Sequence, residues 1–324
     1  MKVKVALIAG GDSGEYEVSL SSAESVKGHL DKDKYDVFFI HMKGLDWHFI
    51  DDEGNKITVD KNDFSVTIEN EKIAFDVAFI LIHGTPGEDG KLQGYFDMLG
   101  LPYTSCDLFT SALTFKKNFT KHVAKTLGVS VAKTLFYGVD SKWDAEKIVD
   151  AVGLPCFVKP NKGGSSVGIS KVNSITDIDA AIKIAFAEDD EILIEEFLDG
   201  TELGCGVYKT NGKIISLPVT EIVSKTEFFD YEAKYKGLSD EITPARITDE
   251  NTKECQQLSE YLYNEFNCRG VVRFDYIFCD ETLYFLEVNT VPGLSAASII
   301  PQQIREAGLT EAQVYDELLV EALK

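Results

Sequence analysis

Basic residues are scarce in this chain of 324 residues, where 32 lysines and arginines stand against 54 aspartates and glutamates. The formal net charge of −22 argues against binding to nucleic acid or to anionic membranes, because phosphate groups repel such a surface. A local group of lysines can still bind a small anionic ligand. The chain also lacks an apolar run near the ~20 residues that cross a bilayer. We therefore expect neither nucleic acid nor a membrane as a partner.

Paired cysteines and targeting signals are also missing. The six cysteines show no C-x-x-C pair and no zinc-like spacing, which indicates reduced thiols in the cytoplasm. The apolar segment after Met1 is too short for the core of a signal peptide, and no cleavage site follows it. We interpret this segment as the first strand of the fold and expect a cytoplasmic protein. The scattered cysteines are Cys106, Cys156, Cys205, Cys255, Cys268 and Cys279.

Three common catalytic or nucleotide-binding motifs are absent. The stretch that begins at Gly10, GGDSG, does not match the dinucleotide motif G-x-G-x-x-G. Gly163 and Gly168 have the spacing of a P-loop, but Ile169 occupies the position of its lysine. No G-x-S-x-G sequence is present, so a serine hydrolase has no support.

The N-terminal part alternates between strand and helix patterns. Strands are predicted at 3–9, 36–41 and 76–82, with a helix at 18–30 after the first of them. This order is typical of an open α/β domain, in which ligands bind beyond the carboxyl ends of strands. His83 lies at such an end, although a structural histidine is the common alternative there.

The remaining chain mixes helices with strands and has no internal repeat. Three serines early in the first helix (19, 21 and 22) are candidate N-caps. A polar and aromatic stretch at 224–245 is interpreted as a long functional loop. Helices are predicted at 91–99, 110–127, 143–152, 176–187, 249–267, 301–308 and 310–323, strands at 156–159 and 191–197, and a strand-and-hairpin region at 202–222.

Two apolar runs near the C-terminus, VVRFDYIF and LYFLEVN, have the composition of buried strands yet carry four polar side chains. Arg273 and Asp275 lie on the first run, and Glu287 and Asn289 on the second. Each pair is spaced i, i+2 and therefore points to one face of its strand. If the strands are neighbours, all four side chains meet on one face.

Two acidic residues directly opposite each other on neighbouring strands have Cβ atoms about 5 Å apart, and their carboxylates repel each other. A divalent cation removes this repulsion, and hard oxygen ligands suit Mg²⁺ or Mn²⁺. For any one of these residues alone an ion-paired sheet edge is the better interpretation, but four together favour a metal site. Facing carboxylates require the three-residue turn 280–282, because a two-residue turn would need a β-bulge.

Lys159 ends a second apolar strand, where a buried ammonium requires an anionic partner. The following segment 161–168, NKGGSSVG, offers an amide-rich loop of the kind that surrounds phosphates. A glycine-rich turn between strands is the alternative and is favoured if this segment is taken alone.

Taken together, these segments resemble the D-alanine–D-alanine ligase family of ATP-grasp ligases. The resemblance covers nearly the whole chain in the order and spacing of the family. It implies an α/β, mixed α+β architecture, with an ATP-grasp fold preceded by an open Rossmann-like domain and ATP held between two antiparallel sheets. The implied domains are 1–104, 105–194 and 195–324. The matching segments are 10–20, 83–104, 157–172, 230–235, 273–278 and 285–301.

The resemblance implies an enzyme that joins two D-alanines with ATP, forming ADP through an acyl phosphate, for the synthesis of peptidoglycan precursors. ATP would be the co-substrate, Mg²⁺ or Mn²⁺ the metal, and a homodimer the assembly. The alternatives are ligation of D-alanine to D-lactate or D-serine, another ATP-grasp carboxylate–amine ligase, or a regulatory nucleotide-binding protein. The tyrosine in DYEAKY favours D-alanine as the second substrate.

By position, the resemblance also implies roles for individual residues. ATP would be bound by Lys117, Lys159, Ser166 and Lys234 at the phosphates, by Glu195, Phe197 and Leu198 at the adenine, and by Glu202 at the ribose. The metal would be bound by Asp275, Glu287 and Asn289. The substrates would contact Glu15, His83, Ser298 and Ile299, with Ser165 and Tyr235 in a network with Glu15, and with Arg273 and the Gly293 amide at the developing oxyanion.

Overall fold

The computed structural model describes residues 2–51, 53–164, 166–224 and 239–324. Three of the predicted site residues, Ser165, Lys234 and Tyr235, lie outside the described residues. Within the described part, no helix combines the length and the apolar character that crossing a bilayer requires.

The first sheet combines a parallel centre with an antiparallel edge. Its strands are β1 (Val3–Gly10), β2 (Tyr35–Lys43), β3 (Asp46–Ile50), β4 (Lys56–Thr58) and β7 (Val77–Ile80), in the order β4-β3-β2-β1-β7. β1 pairs in parallel with β2 and β7, as the predicted alternation of strand and helix requires. The short strands β5 (Val66–Ile68) and β6 (Glu71–Ile73) form a separate hairpin.

Helix α1 spans Tyr16–His29, so the serines predicted as N-caps lie inside it. The buried Ser19 hydroxyl accepts a hydrogen bond from the Gly10 amide and donates one to the Leu81 carbonyl. Ser22 is also buried and accepts from the Leu294 amide, whereas Ser21 is exposed inside the helix, so the cap prediction was wrong. The α/β unit continues with α2 (Lys91–Leu99).

The second sheet is antiparallel throughout. Its strands are β8 (Thr134–Gly138), β9 (Cys156–Pro160), β10 (Ser170–Val172) and β11 (Glu191–Glu196), in the order β10-β9-β11-β8. Its apolar face packs against α5 (Ala145–Val152) and α6 (Ile178–Glu188), and a short 3-10 turn (Ile175–Asp177) precedes α6.

The single helix predicted at 110–127 is two helices, α3 (Leu108–Phe115) and α4 (Lys117–Thr126). Lys116 leaves the helical region with ψ near 100°. The break lets the first amides of α4 bond to the loop after β9, since Lys117 N donates to the Asn161 carbonyl and Asn118 N to the Asn161 side chain. The apolar period runs through both helices, so the pattern alone did not reveal the break.

The third sheet carries the C-terminal strands. It contains β12 (Thr201–Thr210), β13 (Lys213–Ser216), β14 (Thr220–Ser224), β15 (Ser239–Ile242), β16 (Val271–Cys279) and β17 (Thr282–Asn289). The order is β15-β14-β12-β16-β17, with β13 beside β12. β15 lies inside the predicted loop 224–245 and pairs with β14, so that prediction was wrong for 239–242.

The hairpin between β16 and β17 brings the polar side chains together by a different route from the one predicted. Arg273 pairs with Asn289, and Asp275 with Glu287, as expected. The turn, however, has only two residues, Asp280 and Glu281, both with positive φ as two-residue hairpins favour. The register shifts between Asp275 and Tyr276, where a β-bulge at residue 286 restores the facing arrangement.

The C-terminal helices connect the two ends of the chain. Helix α7 (Asp249–Glu265) covers the third sheet, whereas α8 (Ile299–Glu306) and α9 (Glu311–Ala322) pack near the N-terminal sheet. Tyr315 and Leu318 of α9 share one buried core with Leu7 and Phe79. The N-terminal sheet and the C-terminal helix α9 therefore share one hydrophobic core.

Candidate active site

A cavity of about 570 Å³ lies between the second and third sheets and the loops of the N-terminal unit. Fifteen of the residues singled out from the sequence line it, although they are spread along most of the chain. The lining residues among them are Glu15, His83, Lys117, Lys159, Ser166, Glu195, Leu198, Glu202, Arg273, Asp275, Glu287, Asn289, Gly293, Ser298 and Ile299.

At the N-terminal side of the cavity, the loop after β7 is attached to the segment after β17. The His83 ring contacts the Val291 carbonyl through Nδ1 at 2.7 Å, and the Glu88 carboxylate accepts from the Val291 amide at 2.9 Å. Glu88 also accepts from the Gly84 amide at 2.8 Å. Loss of solvation raises the pKa of Glu88 to about 7, against the effect of these amides and with help from the charge of Glu15.

The glycine-rich loop is close to both Glu15 and α4. A Cβ added at Gly164 would lie 3.1 Å from Glu15 Oε2, a tight contact, so the loop backbone approaches Glu15 closely here. Lys117 Nζ donates to the Gly163 carbonyl at 2.6 Å and lies 3.4 Å from Glu287 Oε2. Lys117 thus stands between the loop and the carboxylate of β17, where its charge faces the cavity.

A buried carboxylate with two lysines forms the floor between β9, β11 and α4. Glu195 is 3% exposed, and its Oε2 lies 2.7 Å from Lys159 Nζ. Its Oε1 bonds to Lys121 Nζ and accepts from Thr134 Oγ1 at 3.2 Å. Burial alone would raise the pKa of Glu195, but the two lysines outweigh it and lower this pKa to about 2. Lys159 therefore has the anionic partner that the sequence required.

The hairpin residues form a charge network on the opposite wall. Arg273 donates to both oxygens of Asp275, from Nε at 2.7 Å and from Nη2 at 2.8 Å, and Asn289 Nδ2 donates to Asp275 Oδ2 at 2.9 Å. Burial opposes the charge of Arg273, yet the Asp275 carboxylate outweighs it and raises the pKa of the guanidinium. The pair is a bidentate one, the strongest geometry for arginine and carboxylate.

The donor set on this wall fits a hard cation. Asp275, Glu287 and Asn289 offer carboxylate and amide oxygens from neighbouring strands to one cavity, and such oxygens suit Mg²⁺ or Mn²⁺. In the part of the chain that the structure describes, no three His, Cys, Asp or Glu side chains converge as a metal cluster. The candidate set contains two carboxylates and an amide. Its negative charge is balanced here by Arg273 and Lys117.

The segment after β17 presents Gly293 beside the start of α8. Ser298 is the N-cap residue of this helix, and its Oγ lies 2.8 Å from Ser295 Oγ. The Leu294 amide donates to the Ser22 hydroxyl of α1 at 3.1 Å, which holds the segment against the N-terminal unit. A helix N-terminus with a hydroxyl beside it favours a carboxylate ligand.

The residues predicted around the adenine divide into two groups. Glu195, Leu198 and Glu202 line the cavity. Phe197 lies outside this lining, with its ring 5.9 Å from that of Phe157 and with Lys171 Nζ 4.2 Å above it. Phe157 itself lines the cavity and was not singled out from the sequence.

Sequence reasoning also missed several charged residues that the structure joins to the site, among them Lys121 and Glu88. Lys121 lies four residues after Lys117, so the helical period places both on one face of α4 and was a usable signal. Glu88 lies in an irregular loop after His83, where no periodic signal exists. Its contact with Val291 spans 203 positions of the chain and depends on the tertiary structure.

The fold and the cavity together define a class of protein. A Rossmann-like unit is followed by two antiparallel sheets that enclose a cavity lined by lysines on one wall and by carboxylates on the other. This is the ATP-grasp fold, as in the solved D-alanine–D-alanine ligases that the structure resembles.

Sequence comparisons agree with the fold. The family D-ala D-ala ligase N-terminus matches residues 4–106, and the family D-ala D-ala ligase C-terminus matches residues 123–320. A D-alanine–D-alanine ligase of Phocaeicola vulgatus is 46% identical over 98% of this chain and 99% of the relative. One of Flavobacterium johnsoniae is 49% identical over 96% of each chain. The chain belongs to the D-alanine–D-alanine ligase family.

Solved structures give the same result. The VanG D-Ala:D-Ser ligase from Enterococcus faecalis has a TM-score of 0.88 at 33% identity, covering 99% of this chain and 100% of that one. A D-alanine–D-alanine ligase from Bacillus anthracis, solved in complex with ATP, has a TM-score of 0.78 at 25% identity. It covers 99% of this chain and 97% of that one.

Proposed function

We propose that this chain joins two molecules of D-alanine into D-alanyl-D-alanine, with ATP converted to ADP and phosphate, for the synthesis of peptidoglycan precursors. The observation that carries the proposal is one cavity that combines Glu15, the lysines 117 and 159, Arg273 and the Gly293–Ser298 segment. An ammonium, a polyphosphate, an oxyanion and a carboxylate each have a partner of matching charge or polarity there. The family membership of the chain supports the same reaction.

The first step transfers the terminal phosphoryl group of ATP. A carboxylate oxygen of the first D-alanine attacks the γ-phosphorus, the bond to ADP breaks, and D-alanyl phosphate forms. Glu15 holds the ammonium group of this D-alanine, with His83 nearby. Lys117 and Lys159 neutralise the phosphate oxygens, and the loop with Ser166 covers them. Lys234 is proposed to reach the transferred phosphate, outside the described residues.

The second step forms the peptide bond. The amine of the second D-alanine attacks the carbonyl carbon of the acyl phosphate, and the bond to phosphate breaks with release of a proton. Arg273 and the Gly293 amide stabilise the oxyanion of the tetrahedral intermediate. Ser298 and the Ile299 backbone hold the carboxylate of the second substrate. Ser165 and Tyr235 are proposed to complete the network with Glu15, also outside the described residues.

The metal belongs to the proposal as well. Asp275, Glu287 and Asn289 are the residues that would hold Mg²⁺ or Mn²⁺. A bound ion supplies positive charge at the phosphoryl oxygens during transfer. Within the described residues, Lys117 already places a cation beside Glu287, which is consistent with a wall that accepts positive charge.

The test is ATP-dependent phosphate release with Mg²⁺ and D-alanine, with L-alanine as the stereochemical control and the product identified by mass. Phosphate release with D-alanine alone, with the dipeptide as product, is the expected result. D-serine and D-lactate are added to D-alanine in separate reactions, because one similar structure is a D-Ala:D-Ser ligase. A mixed product made in preference to the dipeptide would contradict D-alanine as the second substrate.

Nucleotide binding is measured in parallel to separate two kinds of failure. If the chain binds ATP yet releases no phosphate with D-alanine, the proposal is wrong in its substrate, and another ATP-grasp ligase or a regulatory protein becomes the better interpretation. If it does not bind ATP, the proposal is wrong in its co-substrate.

Replacing Gly293 by alanine is expected to lower turnover about 100-fold, because a misplacement of about 1 Å at a reacting centre can cost that much. The new Cβ would lie 2.7 Å from Ser298 Oγ, which is itself bonded to Ser295. Phosphate release measures the effect. The matched control is Gly28→Ala in α1, where an added Cβ has no neighbour within 4 Å. Equal activity of both variants would contradict the proposed role of Gly293.

Three other features stay proposals. A homodimer is proposed from the family resemblance. A cytoplasmic location is proposed because the cysteines show no C-x-x-C pair and no zinc-like spacing. The division into residues 1–104, 105–194 and 195–324 is supported by the three main sheets, each of which lies mostly in one of these ranges.

A further inference from the structure

The two lysines around Glu195 are not equivalent. Lys159 belongs to β9 and lines the cavity, whereas Lys121 belongs to α4 and is not part of that lining. Each lysine contacts a different oxygen of the carboxylate: Lys159 contacts Oε2, and Lys121, supported by Thr134, contacts Oε1. The two contacts can therefore be broken separately.

Glu195 must keep one of its two lysine contacts if the other lysine moves to a phosphate. Glu195 is buried, and a buried carboxylate without a counter-ion is strongly unfavourable. If Lys159 were its only partner, moving that lysine to a phosphate would leave such a carboxylate behind. Burial lowers the pKa of Lys121 to about 8 despite the attraction of Glu195, so Lys121 is still charged at neutral pH.

We propose that Lys121 is a positioning residue that remains on Glu195 Oε1 and thereby releases Lys159 from Oε2 to the phosphates of a bound nucleotide. The vacated Oε2 then accepts a hydrogen bond from a donor on the ligand, such as the amino group of adenine. This inference rests on the proposed function, since it assigns Lys159 to the phosphates. It adds a fixed counter-ion that neither composition nor motif indicated.

The test compares the affinities of ATP and adenosine, both measured by calorimetry. The ratio of the adenosine Kd to the ATP Kd reports what the phosphates contribute and cancels changes in the adenine contacts. In Lys121→Met, Lys159 becomes the only counter-ion of Glu195 and is withheld from the phosphates. The ratio is expected to fall about 10- to 100-fold, the size expected for lost charge-assisted hydrogen bonds.

A second variant keeps the test decisive if Lys121→Met folds poorly. In Lys121→Met/Glu195→Gln the buried charge that retains Lys159 is gone, so the ratio is expected to return to within about threefold of the wild type. Lys121→Arg keeps the charge and is expected to rescue the ratio as well. If the ratio for the double variant is as low as that for Lys121→Met, or lower, the role of Lys121 is purely structural and the inference is overturned.

Lys159→Met separates this inference from the proposed function. Introduced alone, it is expected to lower the ratio of the two Kd values. Added to Lys121→Met, it is expected to change this ratio little, because Lys159 no longer contacts phosphate in that variant. If the wild type binds ATP no better than adenosine, the proposed nucleotide site is wrong. If ATP binds well and depends on Lys159, but Lys121→Met leaves the ratio unchanged, only the role of Lys121 is wrong.

Discussion

Glu287→Gln is expected to reduce ATP-dependent phosphate release about 1000-fold or more while the protein stays folded. Glu287 lies on the cavity wall opposite Asp275, and the substitution removes a charge with almost no change in shape. If Glu287 binds Mg²⁺, the variant loses several kcal/mol of stabilisation in phosphoryl transfer. The fold is expected to survive because the side chain is partly exposed and because Lys117, which lies 3.4 Å from it, can still bond to the Gly163 carbonyl.

Phosphate release is measured over a range of Mg²⁺ concentrations, together with thermal unfolding. The matched control is Glu306→Gln on the exposed side of α8, which removes the same charge away from the cavity and is expected to leave activity unchanged. Normal phosphate release by a folded Glu287→Gln protein would remove the metal assignment.

Asp275→Asn is expected to have the largest effect on stability of the variants considered, about 3–5 kcal/mol. It leaves Arg273, whose side chain is 12% exposed, without the carboxylate that now bonds to it at two points. The cost arises mainly from the uncompensated buried charge. Equilibrium unfolding in urea measures it.

Two further variants isolate the cause. Adding Arg273→Met to Asp275→Asn removes the bare charge and is expected to recover part of the lost stability. Glu221→Gln is the matched control, because Glu221 forms a similar two-point pair with Arg246, a largely exposed arginine. The stability lost in Glu221→Gln is expected to be clearly smaller than in Asp275→Asn, since water can solvate Arg246. Equal losses for the two single variants would show that burial of Arg273 does not matter.

The carboxylate wall was largely predictable from the sequence. A side-chain period of two placed Arg273 and Asp275 on one face of their run, and Glu287 and Asn289 on one face of the other. The predicted facing of the two pairs is confirmed. The turn between them was predicted wrongly. Asp280 and Glu281 form the shorter connection, and an extra residue inside β17 corrects the register, which the local apolar pattern does not record.

The lysine wall was only partly predictable. The sequence indicated an anionic partner for Lys159 because an ammonium at the end of an apolar strand needs one. It assigned Glu195 to the adenine and did not identify it as the partner of Lys159, nor did it identify Lys121 as the second lysine on that carboxylate. Lys121 and Glu195 are 74 positions apart, and the break at Lys116 that orients α4 depends on hydrogen bonds to Asn161.

By itself, the sequence determined the fold class, the family and the side chains that face one another across a hairpin, because strand periodicity and motif spacing are local properties of the chain. Only the tertiary structure decided which lysine holds Glu195, where the helix at 108–126 breaks, and how Glu88 attaches to Val291. These contacts join segments far apart in the chain, and they form because buried charges and amides must find partners wherever packing brings them together.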